Sequence, residues 1–247
     1  MTDLDESPVD DIHELVSRNR LLAALQPSDL LLLKAALKSV PLTVRQVLEE
    51  PLESISDIYF VLSGIVSVVG KAFPSHRIEV GMVGHEGMTG LSVVLGDGRA
   101  AHEMLVQCSG SALSMPAAEL KKAMSESRTL TSVMLRYAQA FMVQSNQTAL
   151  ANGRGVLEER LARWLLMWRD RLQDDSINIT HQFLAILLGS PRPGVTLSLH
   201  VLEGRGLIKA SRSLIRIMDR EGLQKAANGF YGIPEAEYDR LMDAPSR

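Results

Sequence analysis

Hydrophobic positions between residues 12 and 37 recur at helical spacing, with Leu15, Leu22 and Leu25 on the apolar side. The Pro-Ser-Asp sequence at 27–29 interrupts this pattern, and it predicts a turn and a helix cap before the apolar run that starts at Leu30. The chain is therefore expected to begin with short helices.

Residues 40–116 show a different pattern, in which short β-branched runs alternate with glycine-containing turns. The clearest runs are 58–62, 65–69, 78–80 and 104–106. Short strands at near-regular spacing are typical of a sandwich, a jelly roll or a related β-roll. We therefore predict a β-roll domain over residues 1–116.

A long helical pattern without glycine or proline follows over residues 117–151. One stripe of side chains recurs there at three- and four-residue steps, and it consists of Leu130, Met134, Tyr137, Phe141, Ser145 and Thr148. The stripe can pack against the chain's own β domain or against a second copy of the chain. Because a helix rises about 1.5 Å per residue and so outruns one small domain, we favour a homodimer in which these six residues form the interface and 117–152 is the dimerisation helix.

Two glycines in the sequence Asn-Gly-Arg-Gly at 152–155 predict a helix end and a hinge. The third segment, residues 153–247, starts with a helical pattern at 156–172. Two shorter helices are predicted after it. Thr180 caps the first, Gly189 ends it in a left-handed conformation, and Ser190 caps the second, which Gly204 closes.

The spacing within these two helices indicates a helix-turn-helix. Ala185 is small where the helices cross, Gly189 lies at the turn, and Val195 is apolar where the second helix faces the first. Apolar runs at 207–210 and 214–218 then flank a basic tip, which predicts a β-hairpin and hence a winged helix.

The second helix of such a unit lies in the major groove of DNA, and its N-terminal residues contact base edges. Arg192, near that end, is the residue type best suited to a bidentate contact with guanine. The predicted DNA-contacting set is Thr180, His181, Gln182, Ser190, Arg192, Pro193, Thr196, Leu197, His200, Arg212 and Ser213.

Composition and charge agree with a DNA-binding module joined to an acidic one. The 247 residues are 46% hydrophobic and 22% charged, which is ordinary globular composition. The net charge is −3, yet residues 1–152 carry 12 basic and 17 acidic side chains, whereas 153–230 carry 12 and 8. This asymmetry favours a nucleic-acid partner for the C-terminal segment.

Several other classes of protein are disfavoured. The chain lacks an apolar run of the roughly 18 residues that a membrane helix needs, and its start is acidic, so we expect a cytoplasmic location and no membrane partner. One cysteine, Cys108, excludes an internal disulfide and an iron–sulfur cluster held by this chain alone. The six histidines have no metal-ligand spacing. No set of catalytic residues appears, so we predict no enzyme activity and no cofactor.

Taken together, the segments resemble the Crp/Fnr family of transcription regulators. The most specific motif runs from Leu188 through Val195 to the Leu-Glu-Gly-Arg-Gly-Leu-Ile sequence at 202–208. The resemblance implies an α+β chain with a cyclic-nucleotide-binding-like β-roll, a dimerisation helix and a winged helix. It also implies a palindromic operator in double-stranded DNA, and RNA polymerase as a candidate partner. Pro193 and Leu197 replace two of the family's usual base-reading residues.

The effector side departs further from the family. Leu91 stands where members that bind cyclic AMP have a carboxylate, and Ala101 and His102 stand where they have an Arg-Ser pair. We therefore predict no tight cyclic-nucleotide binding, and we leave the effector unknown. Gly90, Leu91, Arg99, Ala101 and His102 are the corresponding pocket residues. A haem-binding relative would need an axial ligand such as His76, His85 or His102, among which the sequence does not choose.

These observations favour a homodimeric, sequence-specific DNA-binding transcription regulator. The alternative is a ligand-binding β-roll whose C-terminal winged helix binds protein rather than DNA.

Overall fold

The computed structural model describes residues 12–72, 77–211 and 213–243. It begins with three short helices, α1 (Ile12–Ser17), α2 (Arg20–Ala23) and α3 (Pro27–Lys34). Pro27 is the first residue of α3 rather than part of a turn, since a proline ring fits the first helical turn, where the missing N–H has no partner. Asn19 fixes this region to the β domain because its side-chain amide donates to the carbonyls of Val61 (2.8 Å) and Gly87 (2.9 Å).

An antiparallel β domain follows, with strands β1 (Lys38–Leu42), β2 (Val47–Glu49), β3 (Asp57–Lys71), β4 (Arg77–Val83) and β5 (Glu103–Pro116), and with helix α4 (Leu91–Val94) between β4 and β5. The strands pair in the order β1-β5-β3-β4, and β2 pairs with β5. The predicted runs 58–62 and 65–69 are one 15-residue strand. Gly64 allows this continuity, because its φ is +85° and a Cβ there would lie 2.5 Å from the Cys108 carbonyl oxygen.

The long helical segment is two helices, α5 (Ala117–Glu126) and α6 (Arg128–Arg154). The prediction of one unbroken helix was wrong at Ser127, whose hydroxyl caps α6 by accepting from the N–H of Leu130 (3.1 Å). The same hydroxyl donates to the buried carboxylate of Asp29 (2.6 Å). The predicted end at 152–155 also shifts, because α6 runs through Gly153 and ends before Gly155.

The stripe on α6 that was predicted to form a dimer interface is covered by the chain itself. Leu130, Met134 and Tyr137 are buried in the core that joins α1–α3, the β domain and α5. Thr148 is buried where its hydroxyl accepts from Arg163 (3.1 Å), and Phe141 and Ser145 are half-buried. Four of the six residues are thus buried within the chain itself, and Phe141 and Ser145 are the partly accessible members of the predicted interface.

The C-terminal segment contains α7 (Leu157–Leu172), β6 (Ser176–Asn178), α8 (His181–Leu187), α9 (Arg192–Gly204), β7 (Ile208–Ala210), β8 (Leu214–Ile217), α10 (Arg220–Ala226) and α11 (Ile233–Met242). A core with Trp164 and Trp168 at its centre holds α7 to α10 together. The predicted helix-turn-helix and hairpin are confirmed. The sequence analysis missed β6, which pairs with β8 and makes the wing sheet three-stranded in the order β6-β8-β7.

Helix α11 leaves the C-terminal core and packs with the N-terminal one. Tyr238 and Leu241 belong to the same buried cluster as Leu130 and Met134. The Tyr238 hydroxyl donates to the carbonyl of Glu86 (2.6 Å), and Asp239 pairs with Arg20 (2.7 Å). The predicted boundaries at 1–116, 117–152 and 153–247 thus follow the order of the elements along the chain, but the buried cores cross them, since α11 packs in the N-terminal core. Among the described helices, none is long and apolar enough to cross a bilayer.

Candidate nucleic-acid interface

The helix-turn-helix forms through the local signals that the sequence carries. The Thr180 hydroxyl accepts from the N–H of Phe183 (3.2 Å) and caps α8. Gly189 has a φ of +56°, which suits the left-handed turn. Ala185 and Val195 are buried between the helices. The start of α9 differs from the prediction, because Pro191 is its N-cap residue and the Ser190 hydroxyl donates to the Leu188 carbonyl (3.4 Å) instead of capping α9.

Helix α9 buries one side and exposes the other. Its buried residues are Val195, Ser198, Leu199 and Leu202. At 100° per residue the opposite side carries Pro193, Leu197 and His200, and all three are exposed. Arg192 lies on the edge of this outward face and is also exposed. The side chain that the sequence predicts for base contact is therefore accessible, at the side of α9 that borders the β domain.

His181 and Thr196, both in the predicted DNA-contacting set, contact each other. The His181 Nδ1 lies 3.1 Å from the Thr196 hydroxyl oxygen, so the pair connects α8 to α9. Burial, with Arg192 and His200 nearby, lowers the pKa of His181 below its ordinary value. The lowered pKa favours the neutral imidazole, and the contact of His181 with Thr196 holds α8 against α9. Gln182 is exposed beside it.

The wing adds a pair of cations that the sequence analysis missed. Lys209 on β7 lies directly opposite Arg216 on β8, and both are exposed. Like charges facing each other across two strands destabilise the pair, and a polyanion placed over them would relieve the repulsion. In the sequence, Lys209 and Arg216 each follow an isoleucine that is buried, Ile208 and Ile215. This alternation of apolar and charged residues could have identified both cations as exposed. Ser213 at the tip is exposed, and Arg212 lies outside the described residues.

The five predicted effector-pocket residues differ in their surroundings. Gly90 faces the core of the β domain, since a Cβ there would lie 2.0 Å from Ile58 Cδ1. Its N–H donates to the buried carboxylate of Glu49 (2.6 Å), whose pKa burial raises. Leu91 follows as the first residue of α4, and Arg99 lies in a loop where its N–H donates to Asp97 (3.1 Å).

Ala101 and His102 line a different space, an open groove of about 1010 Å³ between the β domain and the helix-turn-helix. Lys71, Arg77 and Arg192 also line this groove. Both Lys71 and Arg77 pair with the buried carboxylate of Glu103. The first turn of α9 therefore lies across a basic groove from the end of strands β3 and β4.

Polar contacts join the β domain to the C-terminal segment beside this groove. The Trp164 indole N–H donates to a carboxylate oxygen of Glu79 (2.9 Å), and the Ser67 hydroxyl donates to the other (2.5 Å). Burial raises the pKa of Glu79 to about 7. Nearby, Arg171 pairs with Glu86 (2.7 Å). The pose of the helix-turn-helix thus rests on buried, hydrogen-bonded side chains as well as on apolar packing.

The histidines considered as haem or metal ligands are dispersed. His85 Nδ1 lies 3.0 Å from the carbonyl oxygen of Arg171, His102 lines the groove, and His76 falls outside the described residues. In the part of the chain that the structure describes, no three His, Cys, Asp or Glu residues are placed to hold a metal ion.

Comparison with known proteins bears on both the motif and the fold. A family model, described as a Crp-like helix-turn-helix domain, matches residues 159–226. No curated protein sequence shows significant similarity to the chain.

Three solved structures share the fold. A protein from Eubacterium rectale assigned to the Crp/Fnr family of transcriptional regulators has a TM-score of 0.69 and 19% identity, over 86% of this chain and 100% of its own. FixK2 from Bradyrhizobium japonicum has a TM-score of 0.67 and 16% identity, over 77% and 96%. A CRP-family transcriptional regulator from Thermus thermophilus has a TM-score of 0.64 and 18% identity, over 77% and 97%.

The α+β fold predicted from the sequence is thereby confirmed. Residues 159–226 match a Crp-like helix-turn-helix domain, and the fold of the chain is similar to that of the Crp/Fnr-family structures named above.

Proposed function

We propose that the chain is a transcription regulator of the Crp/Fnr type, which acts as a homodimer and binds a specific palindromic operator in double-stranded DNA, with α9 of each protomer in the major groove. The observation that carries this proposal is the exposed Arg192 at the first turn of α9, beside an outward helix face. Guanidinium groups in that position contact guanine O6 and N7. RNA polymerase remains a candidate partner by family resemblance alone.

Electrostatics supports the same partner. Residues 153–230 carry 12 basic and 8 acidic side chains. Lys209 and Arg216 project from the wing, where phosphates of a bound duplex would lie. Because phosphate contacts release counterions, binding should weaken steeply as salt rises.

The dimer contact is proposed on a different side of α6, about 80–120° around the helix axis from the stripe that the sequence favoured. Leu135 is 46% exposed and Met142 is 53% exposed. They are seven residues apart, and Ala149 follows at the same spacing and is exposed. A seven-residue repeat is the spacing that pairs helices in a coiled coil. Helix-turn-helix dimers bind half-sites about 34–36 Å apart, so a dimer formed along this face must hold its two α9 helices at that spacing.

The test is selection of DNA from random oligonucleotides by the full-length chain, followed by titration of the selected DNA at two salt concentrations. We expect a palindromic consensus and affinity that falls with salt. Arg192→Ala should lose about 1–3 kcal/mol of discrimination at one position in each half-site. Arg18→Ala, which removes an exposed arginine from the N-terminal region, is the matched control and should bind normally.

Failure to enrich any sequence, or binding that does not depend on salt, would contradict the proposal. It would instead favour the alternative that the winged helix binds protein.

A further inference from the structure

The outward face of α9 is apolar at its centre. Leu197 is 63% exposed and Val201 is 40% exposed, and Pro193 is exposed one turn before Leu197. Polar groups lie around them. Arg192 is at one edge, and the exposed His200 is on the turn of the helix after Leu197. A helix that reads bases through hydrogen bonds alone would not place an aliphatic side chain at this position.

The chemistry of the major groove limits what Leu197 can face. Guanine, adenine and cytosine present hydrogen-bonding groups there, and the C5-methyl of thymine is the apolar group on the edges of the four bases. An isobutyl side chain pressed against polar edges would remove their water without replacing the hydrogen bonds, which is unfavourable. Contact with a thymine methyl instead buries apolar surface on both partners.

The surroundings favour DNA over an apolar protein partner. Leu197 and Val201 form a small patch, far below the roughly 1,200 Å² that stable protein interfaces bury in total. Arg192 flanks the patch on α9, and the opposed cations Lys209 and Arg216 lie on the wing of the same unit. A polyanion matches these charges.

We propose that each half-site of the operator contains a thymine whose 5-methyl group contacts Leu197. This inference rests on the proposed function. Leu197 lies five residues after Arg192, which is about 7.5 Å along the helix axis. The two side chains also point about 140° apart around that axis, so the thymine and the guanine that Arg192 contacts are separate bases of the half-site. Leu197 is then a specificity-determining residue, which replaces polar readout with readout of a methyl group.

The experiment removes that methyl group without altering base pairing. In the DNA selected by the full-length chain, each thymine is replaced in turn by deoxyuridine, and affinity is measured by anisotropy. We expect one thymine per half-site at which the replacement weakens binding about fourfold, as for one buried methyl group. In Leu197→Ala the same replacement should have no effect. Leu31→Ala, which truncates another exposed leucine on α3, should keep the full sensitivity.

The outcomes separate this inference from the proposed function. If the wild-type chain binds DNA in a salt-dependent way but no thymine methyl matters, or if Leu197→Ala keeps the full sensitivity, the methyl contact is wrong while DNA binding stands. If the chain binds no DNA, and Leu197→Ala instead weakens capture of a protein partner, both proposals are overturned.

Discussion

Tyr137 joins α6 to the β domain through both backbone groups of one residue. Its hydroxyl donates to the carbonyl of Met88 (2.9 Å) and accepts from the Met88 N–H (3.0 Å). Tyr137→Phe leaves these two buried groups unpaired, so the free energy of unfolding should fall by about 1–3 kcal/mol. Urea denaturation measures the change. Tyr59→Phe, at a half-buried position, is the control, and an equal loss there would contradict the explanation.

Glu79 should make stability depend on pH. Its pKa is raised from 4.5 to about 7 by burial, so the folded state holds a proton that the unfolded state releases earlier. Its contribution is present below pH 4.5 and is lost as pH rises to about 7, after which no further change follows. The full effect is about 3 kcal/mol at most.

Glu79→Gln removes this titration and keeps an acceptor for the Trp164 N–H. Unfolding followed by tryptophan fluorescence between pH 5 and 8 should show wild type losing stability relative to the variant as pH rises. A constant difference across that range would contradict the assignment of the titration to Glu79.

Sequence reasoning worked for single residues whose role is local. The cap at Thr180 and the left-handed Gly189 follow from residue type and position alone. It could not find the pairing of Trp164 with Glu79, because the partners are 85 residues apart. It placed His181 and Thr196 on DNA, whereas their mutual contact depends on how α8 and α9 cross.

At the level of elements, Ser127 decides where α6 begins. Ser127→Ala removes the cap on Leu130 and the hydroxyl that donates to Asp29. We expect a loss of about 1 kcal/mol in unfolding free energy from the missing cap, while Asp29 keeps the Thr129 hydroxyl as a donor (2.7 Å). Ser125→Ala, at an exposed position in the last turn of α5, is the matched control. Thermal unfolding that is equal in the two variants would refute the role given to Ser127.

The hydrophobic period of α6 identified a helix and its buried face correctly but not what covers that face. Periodicity reports that Leu130, Met134 and Tyr137 are removed from water, whether by the same chain or by another copy. The covering helix α11 lies in a segment that the sequence analysis left unassigned, and the short strand β6 gave no periodic signal at three residues. Both omissions concern pairings between distant parts of the chain.

At the scale of the whole molecule, the exposed side of α6 should control assembly. Leu135→Glu or Met142→Glu would place a carboxylate in the proposed dimer contact, and each should give a monomer in sedimentation velocity. DNA affinity should fall as well, because a monomer contacts only one of the two half-sites. Stability of the fold should change by no more than about 0.5 kcal/mol, as for other exposed sites.

Leu31→Glu, on exposed α3, should remain dimeric. A wild-type chain that sediments as a monomer at all concentrations, or a Met142→Glu variant that stays dimeric, would exclude this face as the interface.

The return of α11 to the N-terminal core adds a second covalent end to the attachments of the helix-turn-helix unit. The chain enters the unit at the junction of α6 and α7 at Gly155, and it leaves through α11, where Tyr238 contacts Glu86. Between these two ends, Trp164 and Arg171 contact Glu79 and Glu86. Any reorientation of α9 relative to the β domain must therefore break those side-chain contacts and also move or release α11. A protein tag fused after α11 would therefore act on the contact between α11 and the N-terminal core, and through it on the orientation of the helix-turn-helix.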